Sequence, residues 1–303
     1  MKLETNFLLS KITTFQLGGP ARFYLKVRTP EEVVAAVLIA QNKKIKYRLV
    51  GGGSNLVFAD QGFAGLVIHW SLPKPKLADL KITGSEMIVS AGVRLGDLIK
   101  RANKNGLAGF EKMAGIPGNV GGAVAGNAGA YGQTISDRLR WVEVFDGEKI
   151  LRLTKKVCAF DYRDSIFKKK DWTVLRVAFK LKQGVKEDLI KTSREIEKIR
   201  WSKFGKHPIC AGSFFKNVIM EGDSPSPKAS AEQRRIPTAT LIEQAGLDNL
   251  KQGGISVAPW HHNFLINDGT GTTKDLIKLK NKIKKVIHQK LGIALEEEVR
   301  FIV

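Results

Sequence analysis

The chain has 303 residues, with 50 Lys plus Arg against 29 Asp plus Glu, which gives a formal net charge of +21 at pH 7. Its 43 % hydrophobic and 26 % charged residues are typical of a globular protein and exclude disordered and collagen-like chains. The length predicts about two domains of about 150 residues each. The 30 glycines, about 10 % against a usual value of about 7 %, are the main departure from average composition.

The cysteine count and the apolar runs bear on the compartment in which the protein works. Cys158 and Cys210 are too few for a disulfide framework or a four-cysteine zinc site, so we expect a reducing cytoplasm. The longest apolar run, 33–40, is far shorter than the ~20 residues that a spanning helix needs. Segment 1–15 carries charged residues and lacks the apolar core of a signal peptide. We therefore expect a soluble protein that is not exported.

The positive charge raises the question of nucleic-acid binding. Lysines are spread along the chain, with local concentrations at 168–170 and 274–290. In the second of these, Lys278, Lys282 and Lys285 lie mostly off an apolar stripe, which is typical of a solvated helix face. Because no zinc-finger spacing or RNA-binding aromatic motif accompanies the charge, we do not expect a nucleic-acid partner.

The N-terminal third alternates predicted strands and helices. A strand over 23–27 precedes a helix whose start is marked by Thr29 as N-cap, Pro30 at the first position and Glu32. Further strands are predicted over 47–50, 66–69, 81–83, 87–91, 141–145, 150–153, 174–181 and 298–303, and further helices over 95–105, 186–204, 240–245 and 274–290. A Pro/Ser-rich loop is predicted over 224–228.

A first glycine-rich loop follows the strand over 47–50 directly. Three consecutive glycines, Gly51–Gly53, let the backbone bring several N–H groups close to one ligand, and such concave arrays bind phosphates. Ser54 and Asn55 add side-chain donors. A tight turn between two strands is the structural alternative, although such a turn needs only one or two glycines.

A second glycine-rich segment holds nine glycines in the 27 residues from Gly106 to Gly132. It is interleaved with apolar side chains and with Pro117, so we expect ordered, packed chain rather than a flexible linker. Close packing of a helix on a sheet remains an alternative to ligand binding. Neither G-x-G-x-x-G nor G-x-x-x-x-G-K-[ST] occurs, so the two loops favour a dinucleotide held between two subdomains over a Rossmann domain or a P-loop.

These two loops belong to a set of eight motifs that occur in order between about residues 13 and 302. The motifs are Arg48-x-x-Gly51-Gly52-Gly53-Ser54-Asn55-Leu56, Gly115-Ile116-Pro117-Gly118-x-Val120-Gly121-Gly122, Gly129-Ala130-Tyr131-Gly132, Phe160-x-Tyr162-Arg163-Asp164-Ser165-x-Phe167-Lys168, Gly212-Ser213-Phe214-Phe215-Lys216-Asn217, Leu241-Ile242-Glu243-Gln244-Ala245-Gly246, His261-x-Asn263-Phe264-Leu265-Ile266-Asn267 and Leu295-Glu296-Glu297-Glu298-Val299-Arg300. Together they resemble the UDP-N-acetylenolpyruvoylglucosamine reductase (UDP-N-acetylmuramate dehydrogenase) family.

The resemblance implies an α+β chain with two domains. A vanillyl-alcohol-oxidase-type FAD-binding domain would cover 1–185, as two subdomains over about 1–70 and 71–185, and an α+β substrate-binding domain would cover 186–303. Non-covalent FAD would lie between the two subdomains, with its pyrophosphate on the first glycine loop. The implied FAD-binding residues are Gly51, Gly52, Gly53, Ser54, Asn55, Leu56, Gly115, Ile116, Pro117, Gly118, Val120, Gly121 and Gly122.

The resemblance also implies a reaction, the NADPH-dependent reduction of the enolpyruvyl ether of UDP-N-acetylglucosamine to UDP-N-acetylmuramate, a peptidoglycan precursor. Arg163 suits the substrate carboxylate, Ser213 matches the family's proton donor, and Glu298 would polarise or protonate the intermediate. The positions that match contacts to the UDP-sugar are Tyr131, Lys216, Asn217 and Gln244, with Arg300 near the same site.

Taken alone, each catalytic candidate has a structural alternative. Arg163 beside Asp164 is consistent with a surface ion pair, Ser213 with a turn residue, and Glu298 with a solvated carboxylate. The order of the motifs favours the catalytic assignment. Val218 and Glu297 depart from the family, which usually has proline at both positions. The short distance of 50 residues from Arg163 to Ser213 indicates the shorter type, without an additional Tyr-bearing loop.

Two further expectations concern ligands and partners. His261 and His262 are adjacent on a predicted strand and face opposite ways, so we predict no catalytic metal. The expected partners are the enolpyruvyl UDP-sugar and NADPH, and we expect a monomer. The alternative function is an FAD-dependent oxidase of the same flavin superfamily, in which oxygen accepts the electrons.

Overall fold

The computed structural model describes residues 2–205, 208–220 and 234–302. The helices are α1 (Pro30–Asn42), α2 (Leu95–Lys104), α3 (Val120–Ala125), α4 (Lys186–Phe204), α5 (Thr238–Gln244) and α6 (Thr273–Leu291). The strands are β1 (Leu3–Leu8), β2 (Pro20–Lys26), β3 (Tyr47–Val50), β4 (Leu56–Phe58), β5 (Phe63–His69), β6 (Leu80–Thr83), β7 (Glu86–Ser90), β8 (Leu107–Ala108), β9 (Gly129–Ala130), β10 (Gln133–Thr134), β11 (Leu139–Phe145), β12 (Ile150–Thr154), β13 (Thr173–Lys180), β14 (Lys182–Gln183), β15 (Val218–Met220), β16 (Arg234–Ile236), β17 (Lys251–Gln252), β18 (Ile255–Val257), β19 (Leu265–Asn267) and β20 (Arg300–Ile302). The loop predicted over 224–228 lies outside the described residues.

The chain divides into two compact units. The first unit comprises Met1–Phe7, Pro20–Gly53 and Phe63–Gly205, and the second comprises Leu8–Gly19, Ser54–Gly62 and Lys206–Val303. The first unit extends past residue 185 because α4 packs on it: Asn103 Nδ2 donates to Ser193 Oγ at 2.7 Å. The assignment of FAD to 1–185 and of substrate to 186–303 stays a prediction.

Two larger sheets and two two-stranded sheets, β9–β10 and β8–β14, belong to the first unit. The four-stranded sheet has the order β1-β2-β5-β3, in which both β2 and β3 run parallel to β5. The five-stranded sheet has the order β12-β11-β13-β7-β6 and is antiparallel throughout. Apolar side chains of both sheets and of α1 and α2 form one buried cluster. The burial of this cluster stabilises the unit and fixes the loops at the strand ends.

The start of α1 follows the predicted capping pattern with one difference. Thr29 accepts a hydrogen bond from the Glu32 N–H at 3.2 Å, as expected for an N-cap, and Pro30 opens the helix. The Glu32 carboxylate, however, accepts from the Arg28 N–H rather than closing a capping box on Thr29. Helix α1 therefore starts at the predicted residue, but the hydrogen bonds at its N-terminus differ slightly from those predicted.

The second unit packs around α6. This helix buries Leu276, Leu279, Ile283 and Ile287, the stripe that the sequence predicts, against a cluster that includes Phe214 and Phe215. Strand β20 pairs in parallel with β4, which brings the C-terminal strand beside a segment some 240 residues earlier in the chain. Strands β17, β18 and β19 form a small antiparallel sheet beside α6.

Several predicted elements differ from the structure. His261 and His262 lie at a turn before β19 rather than on a strand. The strand predicted over 298–303 is shorter, Arg300–Ile302, because the Glu298 N–H donates to the Phe214 carbonyl at 2.9 Å before the pairing with β4 begins. The second glycine-rich segment contains a short helix, α3, in which Gly121 packs closely against Ala91. Within the described residues, no helix has both the length and the apolar character needed to cross a bilayer.

A part-buried polar pair joins β2 to the end of β5. The Tyr24 hydroxyl hydrogen-bonds His69 Nδ1 at 2.6 Å, and the Tyr24 ring stacks on Phe7 with 3.8 Å between centroids. Burial lowers the pKa of His69 to about 4, with Lys26 acting in the same direction and a hydrogen bond to the Gly51 backbone opposing it. The neutral imidazole therefore links the sheet to the first glycine loop.

Because the folded-state pKa of His69 lies below its unfolded value of about 6.5, the unfolded state binds the extra proton between pH 6.5 and pH 4. We expect the free energy of unfolding to fall by about 1 to 2 kcal/mol more in the wild type than in His69→Gln as the pH drops from 7 to 4.5. Chemical denaturation at several pH values measures this, with the exposed His288→Gln as matched control. The prediction would be contradicted if the free energy of unfolding changed with pH equally in the wild type and in His69→Gln.

Candidate active site

The two predicted glycine loops meet within the first unit. A Cβ placed on Gly51 would lie 3.3 Å from the Asn119 side chain, and a Cβ on Gly52 would lie 3.0 Å from both Gly118 Cα and Asn119 Oδ1. Contacts this short leave little room for a side chain at either position. The first loop is thus glycine-rich because the second loop lies directly against it.

Asn119 holds the second loop in place. Its buried Nδ2 donates to the Gly92 carbonyl at 2.7 Å and to the Trp70 carbonyl at 3.0 Å. Its Oδ1 is buried and has no hydrogen-bond partner among the described residues. Such an unpaired buried acceptor next to Gly52 is costly unless a ligand or water donates to it.

The glycines of α3 serve two purposes. Gly121 packs against the sheet, since an added Cβ would lie 2.9 Å from Ala91 Cβ. Gly122 is exposed and has no atom within 4 Å of the position its Cβ would take. Close helix–sheet packing therefore explains Gly121 but not Gly122, whose surroundings leave space for a ligand.

The segment that carries Arg163 is docked onto the chain after α3. Arg163 Nη2 donates to the Gly129 carbonyl at 3.1 Å, which brings its guanidinium to the β9–β10 hairpin that contains Tyr131. Ser165 is fully buried and donates to the Ala125 carbonyl at 2.7 Å. The carboxylate of Asp164, the partner in the surface-pair alternative, forms an ion pair with Lys169 at 3.2 Å.

Ser213 and Glu298 lie on neighbouring extended segments of the second unit. The carbonyl of Phe214, the residue next to Ser213, accepts from the Glu298 N–H at 2.9 Å. Phe215 and Glu297 form the next bridge of this antiparallel pairing, and both Ser213 and Glu298 are half-buried. The main chain thus places the two catalytic candidates of this unit on neighbouring segments.

Asn263 anchors the segment that carries Ser213. Its side chain is 2 % exposed; its Oδ1 accepts from the Phe215 N–H at 2.9 Å, and its Nδ2 donates to the Phe215 carbonyl at 2.8 Å. Its own carbonyl accepts from the Phe214 N–H at 2.7 Å. Asn263 stands in one of the eight motifs, but its anchoring role depends on a contact over 48 residues and is not visible in the sequence.

Asn55, predicted to bind FAD, also contacts the segment of Glu298. Its Nδ2 donates to the Glu298 carbonyl at 3.0 Å, and its own carbonyl accepts from the Arg300 N–H at 3.1 Å. The first glycine loop therefore continues directly into residues that fix Glu298. Whether Asn55 also contacts a cofactor stays a prediction.

Four of the five predicted substrate residues belong to the second unit, and Tyr131 belongs to the first. In the second unit, Lys216 Nζ forms an ion pair with Glu296 at 2.5 Å, and Asn217 Oδ1 accepts from the Thr238 N–H at the start of α5. Gln244 ends α5 and Arg300 begins β20, and both are exposed. In the first unit, Tyr131 is 41 % exposed and has a left-handed φ of 49°. Their roles in binding remain predictions.

A cavity of about 600 Å³ lies on the five-stranded sheet, but its charges are paired with one another. Arg176 contacts Glu143 at 2.7 Å and Glu31 at 2.5 Å, and the Arg152 guanidinium lies 4.2 Å from the Trp141 ring centroid. A lining of mutually neutralised groups offers little to an anionic ligand. We therefore do not assign this cavity to the site.

Glu297, which stands where the family usually has proline, forms an ion-pair network with α6. Its carboxylate contacts Lys280 Nζ at 2.8 Å and Lys284 Nζ at 3.0 Å. Burial raises the pKa of Glu297, but hydrogen bonds from the two lysines outweigh that effect and lower it below its ordinary value. The network ties the chain just before Glu298 to α6.

We expect Lys284→Gln to lower the free energy of unfolding by about 0.5 to 1 kcal/mol, since it removes one arm of this network. Lys282→Gln is the matched control: it makes the same change on α6 at an exposed position. Urea denaturation of both variants, alone and combined with Glu297→Gln, measures the effect. Equal changes in Lys284→Gln and Lys282→Gln would contradict it.

Comparison with protein families gives two matches. The family model described as an FAD binding domain matches residues 21–153. The model described as the C-terminal domain of UDP-N-acetylenolpyruvoylglucosamine reductase matches residues 205–302. The predicted fold class, an α+β chain with an FAD-binding domain followed by an α+β domain, is confirmed.

Known proteins are similar over nearly the whole chain. The UDP-N-acetylenolpyruvoylglucosamine reductase of Solibacter usitatus is 38 % identical over 97 % of this chain and 95 % of its own length. The UDP-N-acetylenolpyruvoylglucosamine reductase of Carboxydothermus hydrogenoformans is 35 % identical over 96 % of this chain and 91 % of its own length. The crystal structure of the Thermus caldophilus enzyme superposes with a TM-score of 0.77 and 32 % identity over 100 % of both chains. The chain belongs to the UDP-N-acetylenolpyruvoylglucosamine reductase family.

Proposed function

We propose that the chain reduces the enolpyruvyl ether of UDP-N-acetylenolpyruvoylglucosamine with NADPH and FAD, giving UDP-N-acetylmuramate for peptidoglycan synthesis. The observation that carries the proposal is the pairing of Phe214 with Glu298 by a 2.9 Å hydrogen bond, in a chain of this family. A proton donor and a carboxyl group on adjacent segments are what reduction of a polarised double bond needs. We propose that the protein works as a cytoplasmic monomer.

The two glycine loops fit FAD. Gly51 and Gly52 lie against Asn119, whose Oδ1 lacks a partner among the described residues, and Gly122 faces open space. Residues 51–56 and 115–122 would hold the cofactor, with the pyrophosphate on the backbone N–H groups of the first loop. When bound, FAD supplies the hydride that it has received from NADPH.

Arg163 binds the substrate carboxylate in this proposal. A guanidinium donates two parallel hydrogen bonds to a carboxylate and keeps its charge at every relevant pH. Addition of a hydride equivalent to the terminal CH₂ carbon leaves an electron pair on the neighbouring carbon, shared with the carboxylate. Arg163 therefore stabilises the charge where it develops, which lowers the barrier more than binding the ground state would.

Ser213 supplies the proton to the carbon that bears the ether oxygen. The hydroxyl is a weak acid, but the enolate-like intermediate is a strong base, so transfer from Ser213 Oγ to carbon is downhill. Glu298 polarises or protonates the same intermediate. In sum, the C=C double bond is reduced by one hydride equivalent and one proton, and NADPH is oxidised to NADP⁺.

Anaerobic half-reactions test the proposal directly. NADPH is expected to bleach the absorbance of the bound flavin, and the enolpyruvyl UDP-sugar is expected to restore it with formation of UDP-N-acetylmuramate. An oxidase of the same superfamily would instead reoxidise rapidly with oxygen and ignore the sugar. That outcome, or a purified protein that stays colourless after incubation with FAD, would contradict the proposed function.

Gly122→Ala separates cofactor binding from folding. Because alanine favours helix over glycine and the added Cβ meets no protein atom, we expect apo-protein stability to rise by about 0.5 to 1 kcal/mol. We expect FAD affinity to fall at least about tenfold, since the Cβ fills ligand space. Quenching of FAD fluorescence on titration with apo-protein measures the affinity.

Gly96→Ala is the matched control for this prediction. It lies in α2, and its added Cβ likewise meets no atom within 4 Å. We expect it to stabilise the protein similarly and to leave FAD affinity unchanged. If Gly122→Ala bound FAD as tightly as Gly96→Ala, the assignment of residue 122 to the cofactor site would be wrong.

A further inference from the structure

Arg163 lies in a tight two-residue turn. The Asp164 N–H donates to the Asp161 carbonyl at 3.2 Å, and the Asp161 N–H donates back to the Asp164 carbonyl at 3.1 Å. The central residues of the turn are Tyr162 and Arg163, and Arg163 has a left-handed φ of 52°. A positive φ at the second central position of a turn is usually taken by glycine, because a side chain there crowds the backbone. Arg163 therefore needs support from its surroundings to keep this conformation.

The main-chain conformation of Arg163 decides where its guanidinium lies. The backbone dihedral angles of a residue set the direction in which its side chain leaves the chain, so another turn geometry would send the guanidinium elsewhere. In the observed turn, Arg163 Nη2 donates to the Gly129 carbonyl at 3.1 Å, at the start of β9. The proposed function assigns the substrate carboxylate to this guanidinium. Any side chain that fixes the main chain of Arg163 therefore also fixes the carboxylate site.

The Lys168 side chain reaches back to this turn. Its ammonium donates a hydrogen bond to the Arg163 carbonyl, five residues earlier, and Lys168 is half-buried. A charged donor forms a stronger hydrogen bond with a carbonyl than a neutral donor does. Asn127 fixes the base of the turn, since its Nδ2 donates to the Asp161 carbonyl at 2.8 Å. The turn is thus held at its base by an amide and at Arg163 itself by a cation.

The segment that carries Lys168 is itself anchored. Residues 166–168 form a single helical turn, and the Lys168 N–H donates to the Ser165 carbonyl at 3.1 Å. Ser165 is fully buried and donates from its hydroxyl to the Ala125 carbonyl at 2.7 Å. Phe167 belongs to the buried cluster of the first unit. The ammonium of Lys168 therefore meets the turn from a rigid segment, which is what a positioning group requires.

The two lysines that follow differ from Lys168. Lys169 is exposed and forms an ion pair with Asp164 at 3.2 Å, and Lys170 is exposed as well. The local concentration of lysine at 168–170 thus consists of one half-buried residue that contacts Arg163 and two exposed residues. Lys170 provides a neighbouring position at which the same substitution can be made as a control.

We propose that Lys168 is a positioning residue, which holds Arg163 in its left-handed conformation and so directs the guanidinium toward the carboxylate of the enolpyruvyl UDP-sugar. This inference rests on the proposed function, because that function assigns the carboxylate to Arg163. Lys168 acts through the main chain of Arg163 and needs no contact with the substrate. Its removal is therefore expected to weaken recognition of the carboxylate and to leave binding of the UDP part unchanged.

The test uses the FAD-loaded protein and three variants. Lys168→Met removes the ammonium but keeps an unbranched stem, Lys168→Arg keeps a cationic donor, and Lys170→Met makes the first change at an exposed position. Calorimetry on the oxidised protein measures the affinity for the enolpyruvyl UDP-sugar and for UDP-N-acetylglucosamine, which lacks the carboxylate. Anaerobic stopped-flow absorbance measures the two flavin half-reactions, and FAD content and melting temperature are recorded in parallel.

We expect Lys168→Met to weaken binding of the enolpyruvyl UDP-sugar by about 5- to 20-fold and to keep the affinity for UDP-N-acetylglucosamine within about twofold. Reoxidation of the flavin by the sugar should slow by about 10- to 100-fold, since a displacement of about 1 Å can cost that much, while reduction by NADPH stays within about twofold. Lys168→Arg should recover most of both losses, and Lys170→Met should behave as the wild type. A merely structural role would lower the melting temperature without separating the two sugars.

Three results would overturn the inference. Wild-type affinities and rates in Lys168→Met would show that Arg163 keeps its position without Lys168. An equal loss of affinity for both sugars would show that Lys168 contacts the UDP part itself. If Lys168→Arg were as impaired as Lys168→Met, the hydrogen bond to the Arg163 carbonyl would not be the cause of the loss.

A further variant covers the case in which Lys168→Met does not fold. Lys168→Gln stays polar but has a side chain one bond shorter and uncharged, so the same separation of the two sugars is expected. Equal affinities of Lys168→Gln and the wild type for the enolpyruvyl UDP-sugar would then count against the inference. Failure of the wild type to turn over this sugar would refute the proposed function itself, which is a separate outcome.

Discussion

The hydrogen bond from the Glu298 N–H to the Phe214 carbonyl is the constraint on which the proposed chemistry depends. It places a hydroxyl and a carboxyl group on neighbouring segments by main-chain pairing, so the arrangement does not rely on flexible side chains. Asn263 fixes one segment through three hydrogen bonds, and Asn55 fixes the other. The ion pairs of Glu297 with Lys280 and Lys284 add an anchor to α6.

A second constraint operates in the first unit, where the two glycine loops are in contact. Asn119 donates hydrogen bonds to the carbonyls of Trp70 and Gly92. These bonds fix its side chain in contact with Gly51 and Gly52. His69 reaches the same loop from the four-stranded sheet. The high glycine content thus has distinct physical causes. Gly52 lies against the second glycine loop, and Gly121 allows α3 to pack closely on Ala91. Gly122 has no protein atom near the position of an added Cβ, which leaves space for a ligand.

Local patterns in the sequence predict a large part of this structure. Capping residues locate the start of α1, the charge-rich segment predicted as helical over 186–204 coincides with α4, and apolar periodicity predicts the buried stripe of α6. The long-range pairings are not predictable in this way. The contact of β20 with β4 and the hydrogen bonds of Asn263 join residues far apart in the chain, and they depend on tertiary packing rather than on local preference.

Ser213 delivers the proton in the proposed mechanism, and a comparison of the two half-reactions in Ser213→Ala tests this role. Stopped-flow absorbance under anaerobic conditions follows reduction of the flavin by NADPH and its reoxidation by the enolpyruvyl UDP-sugar. We expect flavin reduction within about twofold of the wild-type rate and reoxidation slowed by about 100- to 10,000-fold. Equal slowing of both half-reactions, or reoxidation at the wild-type rate, would contradict it.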